Sequence, residues 1–65
     1  MNVTIYGLMG HAGRYELPLE HLDVEELAPG EEFVFSGRVY EIRSVSMRGE
    51  DYLVNVSLVM HHASA

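Results

Sequence analysis

Four arginines and four tyrosines are the side chains in this sequence best equipped to recognise another molecule. A guanidinium presents a planar fork of donors that matches carboxylate or phosphate in two-point contact. A tyrosine adds stacking surface and a hydrogen-bonding tip. Arg38, Tyr40, Arg43 and Arg48 fall on or beside one short stretch, and Tyr6 and His11 lie in the N-terminal region. These six form the set expected to hold a small anionic ligand such as a nucleotide. The competing role is structural, with arginines paired to surplus acids and tyrosines filling the edge of a core.

The acids are more numerous and less evenly spread. Ten Asp and Glu face four Arg, for a net charge of −6, and no acid precedes Glu16. Seven then follow within a short span: Glu16, Glu20, Asp23, Glu25, Glu26, Glu31 and Glu32. Such a run either solvates a surface or docks on a basic partner protein. The net charge repels phosphate backbones, which excludes general nucleic-acid binding.

Metal and catalytic chemistry have little to build on. The histidines are His11, His21, His61 and His62, with no cysteine anywhere and no His-Glu-x-x-His pattern. In a strand His61 and His62 would point to opposite faces, so they cannot share one metal. Neither a metal nor a cofactor is expected. Gly7, Gly10 and Gly13 space themselves like a phosphate-binding loop, but a strand pattern follows where such loops need a helix, and no lysine is present. They read instead as a flexible connection. Ser36, Ser44, Ser46, Ser57 and Ser64 lack the strand-to-helix elbow that activates a nucleophile, and the paired acids sit beside turns, where water keeps them ordinary. No enzymatic activity is expected.

The elements that must position these residues are mostly strands. Val3-Thr4-Ile5-Tyr6 and Arg14-Tyr15-Glu16-Leu17 both alternate, and Pro18 marks the second as short or at an edge. Phe33 and Phe35 face inward on a third strand, which Ser36-Gly37 turns into a fourth. Along that fourth strand Tyr40 and Ile42 share one parity, while Val45 and Met47 share the other. A bulge near Arg43-Ser44 restores all four to one side and coils the sheet. Arg48-Gly49-Glu50-Asp51 makes the next turn, into a strand from Tyr52 to Met60 that is read as the longest. Between the second and third strands, Asp23 as N-cap, Glu26 three residues on, the Leu22/Leu27 staple and the Pro29-Gly30 stop predict one short helix at about 23–28.

The expected fold is therefore mainly β with this one helix, a small α+β domain. It is either a five-stranded antiparallel sheet or a partly open barrel, analogous in architecture to SH3-like and OB-like barrels. Sixty-five residues permit a single domain over 1–65, with 61–65 a disordered tail. No window approaches a membrane span and the N-terminus lacks a signal peptide, so the reading is a complete, soluble, cytoplasmic chain. Leu53 and Val59 lie opposite Val54, Val56, Leu58 and Met60 on the last strand. Covering both faces predicts a homodimer or higher oligomer, with Leu53 and Val59 in the interface and the edge of that strand hidden.

Two functions follow from these residues. The first is a non-enzymatic binding or inhibitory module that occupies a partner protein through the seven-residue acidic face. By analogy this suits an accessory, anti-defence protein of a phage or mobile element. The alternative is an oligomer that sequesters a small anionic ligand through the arginine and tyrosine set.

Overall fold

In a computed structural model, residues 1–9 and 13–59 are described. The strands are β1 (Asn2–Tyr6), β2 (Arg14–Pro18), β3 (Glu32–Phe35), β4 (Arg38–Arg48) and β5 (Asp51–Leu58). They form one sheet in the order β2-β1-β5-β4-β3 that curls into a half-barrel. Alternation sorts its two faces. Val3, Ile5, Leu17, Phe33, Tyr40, Ile42, Val54 and Val56 turn inward and are buried, joined by Leu8 and Leu22 from the connections. The outer face carries Thr4, Glu16, Ser46 and Asn55 among its residues, so one side is core and the other is solvated. No buried polar or charged residue interrupts this core among the described residues.

Several local expectations hold. β2 pairs antiparallel with β1 and is an edge strand ending at Pro18. Phe33 is buried and Phe35 half-buried on β3. Ser36 and Gly37 both adopt positive φ, 52° and 77°, the pair of values a primed two-residue hairpin demands. The register of β4 against β5 slips between Ile42 and Ser44, so Arg43 is the bulged residue. The bulge brings Val45 against the core, although Met47 beyond it stays exposed. The curl brings the two edge strands together: Tyr15 on β2 and Phe35 on β3 place their ring centroids 5.2 Å apart.

Other expectations are corrected. The sheet is mixed, because β1 and β5 run parallel, with Val3 opposite Tyr52 and Ile5 opposite Val54. That pairing places β5 at the centre of the sheet and buries Val3, Ile5, Val54 and Val56 side by side. β5 consequently has no free edge along which a second chain could pair. Its Leu53 lies on the outer face, while the Val59 amide donates to the Val39 carbonyl at 2.8 Å and prolongs the β4–β5 ladder. Both residues are half-buried within the single chain. The longest strand is β4, not β5.

The helix at 23–28 does not form. The only helical turn among the described residues is 3₁₀, over Leu19–His21, and 22–30 runs irregularly against the core. Its physical reason is the spacing of the apolar residues. Leu22 is buried and Val24 and Leu27 pack on the core, and positions two apart do not share a helical face. The chain instead closes a tight three-residue turn, the Val24 amide donating to the Leu22 carbonyl at 2.9 Å. One and a half turns of helix cannot repay nucleation against that competition. The segment then rejoins the sheet, with Gly30 and Glu31 bonding the backbone of Ile42. The proposed tail at 61–65, together with Met60, His61 and His62, lies outside the described residues, as does His11.

Candidate functional site

Two concave regions on this frame gather charged residues. One lies on the outer face, a shallow cleft of about 340 Å³ lined by Thr4, Tyr6, Arg14, Glu16, Arg48, Asp51 and Leu53. β1 supplies Thr4 and Tyr6, while β2 supplies Arg14 and the end of β4 supplies Arg48. Asn2 engages both of its acids: its backbone amide donates to Asp51 Oδ1 at 3.1 Å, and its side-chain amide donates to Glu16 Oε2 at 3.1 Å. These contacts lock β1 between β2 and β5 at that end of the sheet.

Sequence reasoning singled out Tyr6 and Arg48, which this cleft does bring together, but it left Arg14 out. The cue for Arg14 was available, since it flanks the strand that pairs with Tyr6. The rest of the ligand set disperses. Tyr40 is 0 % exposed, stacked on Phe33 at 5.8 Å, and its hydroxyl accepts the Met9 amide at 3.2 Å. It is a core residue that ties down the β1–β2 connection and is closed to a ligand. Arg38 opens the eleven-residue strand that Arg48 ends, roughly 30 Å apart by the strand rise. Arg43 projects from the bulge and pairs with Glu41 at 3.5 Å, the one ion pair among the described residues. Arg43 is exposed and Glu41 only half-buried, so the pair contributes little.

The second region is a groove of about 550 Å³ between the 19–27 segment and β5. Leu19, Leu22, Val24 and Leu27 from the irregular segment and Tyr52 from β5 line it, together with Glu20, Glu25 and Glu26. Its chemistry follows from the fold just described. The 22–30 segment turns its apolar side chains toward the core without fully covering them, while the polar residues interleaved with them are left in water. Glu20, Glu25 and Glu26 are exposed, whereas Leu19, Val24, Leu27 and Tyr52 are only half-buried. The result is a trough whose surface is shared between half-buried apolar side chains and exposed carboxylates.

The seven predicted acids do not make one face. Glu20, Glu25 and Glu26 converge on the groove, and Asp23 is exposed on the same segment. Glu16 belongs to the outer cleft. Glu32 lies on β3, the opposite edge strand from the β2 that carries Glu16. Glu31 is half-buried, with its backbone in the β3–β4 ladder. Among the described residues no three His, Asp or Glu side chains converge in a manner suited to a metal ion. No helix among them is long and apolar enough to cross a membrane. Compared with known families, curated proteins and solved structures, the chain shows no significant match.

Proposed function

We propose that this protein is a non-enzymatic binding module that occupies a partner protein through the groove at 19–27. The observation that supports this reading is the juxtaposition there of half-buried Leu19, Val24, Leu27 and Tyr52 with exposed Glu20, Glu25 and Glu26. Apolar anchors in a desolvated centre supply most of the binding energy at protein interfaces, while rim charges steer the encounter and select the partner. A basic, apolar segment of a partner satisfies both requirements. The setting we assign is the cytoplasm, and inhibition of the captured partner is the simplest consequence of occupying its surface. Capture of a small anion has weaker support: four of its six expected residues lie apart, in the core or outside the described residues, and the net charge of −6 opposes it.

The test is capture of a partner on immobilised protein, followed by measurement of its affinity against salt. Raising ionic strength from about 0.05 to 0.5 M shrinks the screening length from roughly 14 to 4 Å, and the expected association weakens accordingly. Replacing Glu20, Glu25 and Glu26 by glutamine removes three rim charges worth about 0.5 kcal/mol each, so affinity is expected to fall roughly tenfold. Binding that ignores both changes would rule the reading out.

A further inference from the structure

The groove does not end at its lining. Met47 is the register partner of Tyr52, so the two side chains share a face, and Met47 is 57 % exposed beside it. On the other flank the Leu19 amide donates to the Met1 carbonyl at 3.0 Å, which sets Met1, 64 % exposed, next to that wall. Two exposed methionines thus stand beside residues that line the groove. Methionine is unbranched and polarizable, and it fits apolar surfaces of varied shape.

The occupant is constrained by three observations. Tyr52 sits in the middle of the sheet, paired with Val3 on one side and Met47 on the other, so the floor has no unused ladder for an added strand. A segment docking there must satisfy its own backbone donors and acceptors, and a helix does so. The rim is carboxylate, which calls for Lys or Arg beside the apolar residues. A second copy of this chain fails both demands, since it carries −6 and its described residues hold no helix beyond one 3₁₀ turn.

Resting on the protein-docking reading above, we infer that the groove receives a cationic amphipathic helix of the partner. Its apolar stripe, spaced i, i+3 or i+4, and i+7, lies along Leu27, Tyr52 and Met47. Its Lys and Arg face Glu20, Glu25 and Glu26.

The experiment uses two labelled leucine–lysine peptides of about four helical turns and identical composition. One has leucines at helical period and its isomer alternates them. Fluorescence anisotropy gives affinity, and backbone amide shifts of the full chain give location. The helical-period peptide is expected to bind at least about tenfold tighter than its isomer, gain helicity on binding, and shift amides of 19–27, Met47 and Tyr52. Met47→Ser, at an exposed position, is expected to weaken it about fivefold with the melting temperature retained. Equal affinity for the alternating isomer at the same amides would overturn the helical occupant and leave the docking reading standing. Shifts confined to other surfaces, no binding by either peptide, or indifference to Met47→Ser would overturn the inference itself, while the docking reading is decided separately by its salt and charge test.

Discussion

Gly7 is the residue at which a single methyl group should cost most. It follows β1, holds φ at +105°, and brings its Cα against the backbone of β5. A Cβ built there would stand 2.3 Å from the Val56 carbonyl oxygen. That is about 1 Å inside the ~3.3 Å that carbon and oxygen keep in a favourable C–H···O contact. The obstacle is backbone at the centre of the sheet and cannot rotate aside. Two costs therefore combine in Gly7→Ala. The backbone conformation is one that L residues rarely hold, at roughly 1–3 kcal/mol. Relieving the contact requires β1 and β5 to part, comparable to overpacking a core, at roughly 1–3 kcal/mol. Against this, alanine restrains the unfolded chain by about 0.4–1 kcal/mol.

The net loss is about 1–5.5 kcal/mol, a large part of the roughly 3–10 kcal/mol available to a domain of this length. Gly37→Ala is the internal control. Its φ is also positive, at 77°, but no atom lies within 4 Å of the new Cβ, so it carries the dihedral cost alone. At about 4–8 °C per kcal/mol for a domain this small, the contact cost should separate the two melting temperatures by at least roughly 4 °C, with Gly7→Ala the lower. Thermal unfolding followed by circular dichroism, repeated in urea, makes the measurement. Melting points within about 3 °C of each other would show that β1 does not pack on β5 as described here.

Tyr40→Phe keeps the ring stacked on Phe33 but deletes the acceptor of the Met9 amide. The expected loss is about 1 kcal/mol, with faster hydrogen exchange at Met9, and an unchanged exchange rate there would contradict the bond. At the β3–β4 turn Ser36 holds φ at +52°, a region asparagine occupies more readily than serine. Ser36→Asn should raise the urea midpoint by an amount equivalent to about 0.3–1 kcal/mol without altering the m-value, whereas a lower midpoint would speak against the primed turn.

Features specified by neighbouring residues were legible in the sequence. Alternation located all five strands, Pro18 marked an edge, Ser36-Gly37 marked a hairpin, and the parity change between Ile42 and Val45 located the bulge at Arg43. Each is legible because period-two side-chain geometry and turn dihedrals depend on residues a few positions apart. The residues that rim the groove were also visible as an acid-rich stretch, although how they would divide was not. Three decisions belonged to the tertiary structure. β1 joined β5 in parallel, a choice between segments some fifty residues apart that no local pattern encodes. Tyr40 went into the core because Phe33 stacks on it and the Met9 amide satisfies its hydroxyl, so a side chain suited to a ligand was used to close the fold. The 22–30 segment had a complete set of helix caps and still formed no helix. Local capping is worth about a kilocalorie, and seating Leu22, Val24 and Leu27 on the core of a curled sheet outweighed it. That same choice left Glu20, Glu25 and Glu26 standing in water around a half-covered apolar trough, a site that exists only because packing prevailed over propensity.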